Sequence, residues 1–123
     1  MAFVLLVDDE PVILRMLEVN LLAEGFEVRT AGTGTAALDV VAERVPDAIV
    51  LDLGLPDHDG WELLRRIREL EAAAAVPVVV VSGAERDEAD ARGYASDVQA
   101  FLTKPVEPTD LVETVRRVLR RDA

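Results

Sequence analysis

The sequence contains no cysteine, a single lysine and a single histidine among its 123 residues. Without cysteine, disulfide bridges and thiolate metal sites are excluded, and a reducing cytoplasmic location is expected. The longest apolar runs are about six residues, far short of a membrane-spanning helix. The stretch MAFVLLVDDE has no basic segment, so we do not expect a secretory signal or a membrane partner.

Basic residues are also scarce relative to acidic ones, because the formal net charge is −11 and the estimated pI is about 4.4. Such a chain repels phosphate backbones, so direct nucleic-acid binding is not expected. Half of the residues are hydrophobic, which excludes a disordered chain. The length fits one domain over residues 1–123 with a single core.

Apolar runs and amphipathic segments alternate five times along the chain. Strands are predicted over 3–7, 26–31, 48–51, 76–81 and 100–103, and helices over 11–23, 35–44, 60–74, 85–96 and 108–121. This alternation predicts an α/β fold, a parallel sheet with helices on both faces, in three layers.

The helical segments differ in how well they can pack. The spacing of apolar residues in the first helical segment predicts one apolar stripe, formed by Ile13, Leu14, Leu17, Leu21 and Leu22. The spacing in the third segment predicts another stripe, from Trp61 to Leu70. The segment 85–96 has no large aliphatic stripe, so we expect a short or mobile helix there.

Polar residues follow four of the five predicted strands. In parallel sheets, sites form where the strands end, so these residues are the candidates for chemistry. Strands one, three, four and five are followed by Asp8 and Asp9, by Asp52, by Ser82 and by Lys104, respectively. If the first strand lies beside the third, three carboxylates converge with a hydroxyl and an ammonium group.

Each candidate has a local explanation when taken alone. Asp8 or Asp9 could cap the first helix, Ser82 could cap a turn, and Asp52 or Lys104 could lie in a turn or on the surface. The arrival of all five at one edge of the sheet is much harder to attribute to capping.

Three carboxylates close together repel one another and need a cation. Mg²⁺ fits, because it accepts a few carboxylates and keeps water molecules that phosphate oxygens can replace. One carboxylate could then attack a phosphoryl group, since phosphoryl transfer needs mainly positioning and charge neutralisation. Lys104 is the only lysine, and a compact ammonium suits such a crevice better than the planar guanidinium of arginine.

Four short motifs in this order resemble those of the receiver domain of two-component response regulators. They are VDDEP, LDLGLPDHDG, VVVSG and FLTKP, and the resemblance covers essentially the whole chain. It implies a flavodoxin-like sandwich with strand order 2-1-3-4-5 and five helices. It also implies bacterial signalling in the cytoplasm, with a histidine kinase or histidine phosphotransfer protein as phosphoryl donor and an unknown downstream protein.

The resemblance also implies a role for each site residue. Asp52 would be the phosphoacceptor, and Asp8, Asp9, Asp52 and the backbone carbonyl of Gly54 would hold Mg²⁺. Lys104 and Ser82 would bind phosphoryl oxygens. Phe101, together with Ser82, would occupy the switch positions, and the Lys104–Pro105 peptide bond would be cis.

Two positions near the site carry little side chain, and three other features receive no role in the chemistry. Gly54 and Ala84 stand where the family usually carries larger side chains, so hydrolysis of the phosphorylated form is expected to depend mainly on Mg²⁺. His58 is interpreted as a solvated loop residue and Trp61 as packing at a helix start. The stretch 32–34 is interpreted as a turn, because a lone Gly-x-Gly is weak evidence for phosphate binding.

Two other functions use a similar set of residues. A phosphohydrolase of the haloacid dehalogenase type would place its nucleophile after the first strand, with Glu10 as the second acid. A receiver-like protein that works without phosphorylation is disfavoured, because the acceptor, metal and lysine positions are all kept. Under the leading interpretation the chain is not a metabolic enzyme and catalyses only its own phosphorylation and dephosphorylation.

Overall fold

Strands and helices alternate through the part of the chain that the structure describes. A computed structural model describes residues 1–57, 59–83 and 98–121, and the helix predicted over 85–96 lies outside them. The described elements are β1 Phe3–Val7, α1 Pro11–Ala23, β2 Glu27–Ala31, α2 Gly34–Glu43, β3 Ala48–Asp52, α3 Gly60–Glu69, a 3₁₀ turn Glu71–Ala73, β4 Val78–Ser82, β5 Ala100–Thr103 and α4 Pro108–Arg121. No helix among these is long and apolar enough to cross a membrane.

The five strands form one sheet in the order β2-β1-β3-β4-β5, and every neighbouring pair is parallel. This order confirms the flavodoxin-like fold that the family resemblance implied. Val7 at the end of β1 lies opposite Leu51 in β3. The residues that follow β1 and those that end β3 are therefore neighbours at one edge of the sheet.

The sheet is covered on both faces, which confirms the three-layer prediction. Because successive strand residues point to opposite faces, each central strand supplies side chains to two cores. One core packs against α2 and α3 and includes Leu5, Ile49, Leu51, Val80, Leu64 and Ile67. The other packs against α1 and α4 and includes Leu6, Val50, Val79, Leu21, Leu111 and Val115.

The apolar stripe of α1 is narrower than the sequence predicts. Leu17 and Leu21 are buried, whereas Leu22 is 46% exposed. Neighbouring residues on a helix point about 100° apart, and with Leu21 fully buried against the sheet, Leu22 lies at the exposed edge of the stripe. The helix then ends in a left-handed turn at Gly25, whose φ is +92°. The N–H of Gly25 donates to the carbonyl of Leu22.

The third helix ends earlier than predicted, at Glu69 rather than at residue 74. Leu70 has an extended backbone and is partly exposed, so it does not continue the apolar stripe. Arg68 donates hydrogen bonds to carbonyl groups of the following segment, including those of Ala73 and Ala74. These bonds stabilise the turn that carries the chain from α3 toward β4.

Gly60 begins α3 at a place where the chain passes very close to the residue that follows β3. A Cβ atom at this position would lie 2.5 Å from the Cα atom of Leu53, the residue after Asp52. Real Cβ contacts are not this short, so a larger residue would have to displace the backbone of Leu53. Gly60 therefore lets the loop after β3 pack against α3.

We expect Gly60→Ala to lower the free energy of unfolding by about 1–3 kcal/mol, because overpacking forces the backbone to shift. Urea denaturation measures this change. Gly32→Ala is the matched control, since its Cβ would approach nothing closer than 3.9 Å. A loss of stability for Gly32→Ala equal to that for Gly60→Ala would contradict the close-packing argument.

Candidate functional site

The sequence-predicted candidates meet at one edge of the sheet. Asp52 and Ser82 are the last residues of β3 and β4, while Asp8 follows β1 and Lys104 follows β5. In the register of the sheet, Asp52 lies opposite Val81, and Ser82 lies opposite Thr103. The parallel strands therefore deliver these side chains to one edge of the sheet, as expected if β1 lies beside β3, which it does.

Asp52 lies at the centre of the site and is only 2% exposed. Its Oδ2 atom is 2.9 Å from Nζ of Lys104, and its Oδ1 atom accepts a hydrogen bond of 3.0 Å from the N–H of Gly54. Removing a carboxylate from water is unfavourable unless it is paired and hydrogen-bonded. Both of its oxygens have such partners here.

Lys104 reaches this carboxylate on an extended stem. The stem passes Gly83, where an added Cβ would lie 3.8 Å from Cβ and Cδ of Lys104. The backbone N–H of Lys104 donates to the carbonyl of Ser82 at 2.9 Å, and the Lys104–Pro105 peptide bond is cis. The hydrogen bond between Lys104 and Ser82 fixes where the stem leaves the backbone.

The carboxylates around Lys104 change its acidity. Partial burial alone would lower the pKa of Lys104, but the hydrogen bond to Asp52 and the negative charges of Asp52, Asp8 and Glu10 outweigh it. The pKa of Lys104 is therefore raised, and its ammonium group stays charged at neutral pH.

Asp8 is the second buried acid, with 5% exposure. Burial raises its pKa, as do the neighbouring carboxylates of Asp52 and Asp9, against the opposing effect of the hydrogen bond from the Glu10 N–H. That hydrogen bond is 2.9 Å long and lies in the turn before α1. The helix N-cap is Glu10, which has no side-chain capping bond, so neither Asp8 nor Asp9 serves as the N-cap residue.

Asp9 is exposed, yet it completes a set of three acids. One carboxylate oxygen from each of Asp8, Asp9 and Asp52 lies within 4.8 Å of the others. Magnesium holds oxygen ligands at about 2.1 Å, so two ligands of one ion are at most about 4.2 Å apart. The cluster would need to contract only slightly, and hard carboxylate oxygens are suitable ligands. The residues present therefore fit a magnesium ion.

Two further predicted residues lie beside this cluster. Ser82 is buried at the end of β4. Phe101 is half-buried on β5 and packs against the core that faces α2 and α3. This packing agrees with a core aromatic, and its switch role stays a prediction. Trp61 is buried in the same core, which confirms its interpretation as a packing residue. His58 and Ala84 lie outside the described residues.

One residue near the site received no role from the sequence. Asp57, in the loop between β3 and α3, binds the first turn of α2 through its carboxylate. Its partners lie more than twenty residues away in sequence, and neither motif nor periodicity connects such distant polar groups. An acid following a buried strand was the only available signal.

Comparisons with known proteins all find response regulators or their receiver domains. The model of the family described as "Response regulator receiver domain" matches residues 4–116. The transcriptional regulatory protein KdpE of Mycobacterium tuberculosis is 38% identical over 122 residues, which is 99% of this chain and 53% of that protein. The response regulator PleD of Caulobacter vibrioides is 35% identical over 97% of this chain and 26% of its own length.

Solved structures agree with these matches. A CheY-like response regulator receiver domain protein from Methanospirillum hungatei superposes with a TM-score of 0.90 at 29% identity, covering 98% of this chain and 95% of that one. The chemotaxis response regulator CheY4 of Vibrio cholerae gives 0.88 at 31% identity, with 96% and 98% covered. This chain spans about half the length of most curated relatives that it matches, and less of PleD.

The raised pKa of Asp8 predicts how the metal-free chain responds to pH. The folded chain holds this proton more tightly than the unfolded chain, whose pKa is near 3.8. The contribution of Asp8 to the free energy of unfolding therefore falls as pH rises through 3.8 to the raised folded value, and stays lower at neutral pH. We expect Asp8→Asn to be more stable than wild type at pH 7 in EDTA.

Chemical denaturation at pH 4 and pH 7 measures this effect, because asparagine can still accept the Glu10 hydrogen bond while losing the charge. Asp9→Asn is the control and should change less, since Asp9 is exposed. An Asp8→Asn variant less stable than wild type at pH 7 would show that the charge of Asp8 does not destabilise the metal-free fold.

Proposed function

The chain belongs to the response regulator receiver domain family, and on that premise we propose that Asp52 is its phosphoacceptor. The phosphoryl group comes from a histidine kinase or a histidine phosphotransfer protein, in a reaction that depends on Mg²⁺. One observation carries this proposal. Asp52 is a buried carboxylate that is paired with the only lysine of the chain and lies in a cluster of three acids.

Asp52 is the best nucleophile of the three acids because of its position. An oxygen of its carboxylate attacks phosphorus, the bond from phosphorus to the donor imidazole nitrogen breaks, and the electron pair of that bond returns to the imidazole. The N–H of Gly54 and the ammonium of Lys104 hold the two carboxylate oxygens before the reaction. The nucleophile is therefore already oriented when the donor arrives.

Asp8, Asp9, Asp52 and the backbone carbonyl of Gly54 are the groups that would hold magnesium. When bound, the ion neutralises charge on the phosphoryl oxygens and relieves the repulsion among the carboxylates. The charged ammonium group of Lys104 contacts Asp52. As the new bond forms, this ammonium group can exchange its contact with the carboxylate for one with a phosphoryl oxygen. The hydroxyl of Ser82 supplies a hydrogen bond to another oxygen.

Phosphorylation then switches a protein-interaction surface. A phosphoryl group bound by Ser82 and Lys104 favours whichever conformation brings these residues closest to it. Ser82 ends β4, and Phe101 lies on the neighbouring strand β5, with Val80 as its partner in the register. Movement of Ser82 would therefore be transmitted to Phe101 and to the surface around β5 and α4.

The chain acts on itself and does not turn over a metabolite. In a phosphohydrolase of the haloacid dehalogenase type, the acid after β1 would be the nucleophile. Here the acid paired with Lys104 is Asp52, at the end of β3, while Asp8 accepts a hydrogen bond from its own turn. This geometry favours the receiver chemistry over the phosphohydrolase.

The names of some relatives raise the question of whether this chain itself contacts DNA. Relatives named as DNA-binding, such as MtrA of Mycolicibacterium smegmatis, are about twice as long as the segment that matches this chain. We propose a protein, not nucleic acid, as the direct partner of this domain, because its net charge of −11 repels phosphate backbones.

Incubation with Mg²⁺ and acetyl phosphate tests the phosphoacceptor directly. We expect the intact mass of the wild type to increase by one phosphoryl group, and that of Asp52→Asn to remain unchanged, because the amide is not a competent nucleophile. Asp39→Asn, on the exposed surface of α2, is the matched control and should be phosphorylated like wild type. Phosphorylation of Asp52→Asn at the wild-type rate would show that the acceptor is another residue.

Lys104→Arg tests the need for a compact charge. Arginine keeps the positive charge, so the fold should survive. Its planar guanidinium group, however, favours two parallel hydrogen bonds to a carboxylate over a contact with the phosphoryl group. We expect phosphorylation by acetyl phosphate to slow by about a hundredfold, the usual effect of losing one transition-state donor. Circular dichroism checks the fold, and a wild-type rate for this variant would contradict the role of Lys104.

A further inference from the structure

The carboxylate of Asp57 spans the top of the sheet and binds the beginning of α2. Its Oδ1 atom accepts a hydrogen bond of 2.7 Å from the N–H of Gly34, and its Oδ2 atom accepts bonds of 3.0 and 2.9 Å from the N–H and hydroxyl of Thr35. A helix leaves its first N–H groups without partners inside the helix, and its positive dipole end attracts an anion. Asp57, which lies in a different loop, accepts hydrogen bonds from two of these N–H groups and places a carboxylate at this end of the helix.

The helix has a local cap as well. The hydroxyl of Thr33 accepts a hydrogen bond of 3.1 Å from the N–H of Ala36, so Thr33 serves as an ordinary N-cap. The bonds to Asp57 are additional. They also act on the loop that carries Asp57, because they hold the middle of this loop between β3 and α3 in one place.

This loop carries Gly54, which lies three residues before Asp57 and donates its N–H to Asp52. The end of β2 and the residue after it lie beside the backbone of Asp8. Asp8 donates its N–H to the carbonyl of Ala31, and a Cβ on Gly32 would lie 3.9 Å from the carbonyl of Asp8. The chain from Ala31 to Thr35 thus lies beside the Asp8 backbone at one end and binds Asp57, in the loop that carries Gly54, at the other.

We propose that Asp57 is a positioning residue for magnesium binding. By binding the first turn of α2, Asp57 fixes the loop after β3 that carries Gly54, the residue whose carbonyl would complete the ligands of the ion. Gly34 and Thr35, the first two residues of α2, thereby act as the receptor for Asp57. This inference depends on the proposed function, in which Gly54 is a metal ligand.

Magnesium titration of the unphosphorylated protein tests the inference. Trp61 is the only tryptophan and lies at the start of α3, at the end of the same loop, so its fluorescence can report binding. We expect Asp57→Ala to weaken Mg²⁺ affinity by about tenfold, the usual effect of removing a residue that orients metal ligands. Asp57→Asn should weaken it less, because its single oxygen can still accept a hydrogen bond.

The phosphorylation rate provides a second readout. Because the change lies in metal affinity, the rate of Asp57→Asn with acetyl phosphate should return to the wild-type value at saturating Mg²⁺. Thr33→Ala is the matched control, since it removes the local cap of the same helix and leaves the contacts of Asp57 in place. It should lower the temperature of unfolding without changing Mg²⁺ affinity.

The outcomes separate this inference from the proposed function. Wild-type affinity for Mg²⁺ in both Asp57 variants would overturn the positioning role alone, as would an equal loss of affinity in Thr33→Ala. Absence of Mg²⁺ binding by the wild-type chain would overturn the proposed function itself. Should Asp57→Ala fail to fold, Asp57→Asn still decides between these outcomes.

Discussion

The pairing of Asp52 with Lys104 is the interaction on which the site depends. A side chain with 2% exposure has lost its contacts with water, and here an ammonium group lies 2.9 Å from one carboxylate oxygen while a backbone N–H donates to the other. Asp8 and Asp9 add two more acids within 4.8 Å, and Lys104 alone does not balance them. The remaining negative charge is what the proposed divalent cation would neutralise.

The hydrophobic sheet explains why this chemistry lies at its edge. Every residue of β1, β3 and β4 is buried, so polar side chains can reach solvent only where these strands end. The strand order places β1 and β4 on either side of β3. Asp52, at the end of that central strand, therefore receives neighbours from both sides, and the loops that follow hold them in position.

Much of this arrangement follows from the sequence, for identifiable reasons. Continuous β-branched runs and amphipathic periods located the strands and helices, and parallel topology placed Asp8, Asp52 and Lys104 together. The end of α3 and the exposure of Leu22 were predicted wrongly. The last residue of a helix and the width of its apolar stripe depend on tertiary contacts, which the spacing of apolar residues does not reveal. The strand order came from family resemblance, since alternation alone allows several orders.

The contact between Asp57 and α2 could not be predicted in this way. Its partners are separated by more than twenty residues, and both segments appear as ordinary polar loops in the sequence. Only the folded chain brings a loop acid to the positive end of a helix. Contacts of this kind determine how firmly the loops at a sheet edge are held, and they follow from the assembled fold rather than from any local pattern.

A crystal structure with magnesium and beryllofluoride would test the central claim most directly. The account predicts one magnesium ion bound by the acid cluster and the Gly54 carbonyl, beryllofluoride on Asp52, and the ammonium of Lys104 in contact with a fluorine atom. An empty crevice, or acids that point away from one another at saturating magnesium, would contradict it.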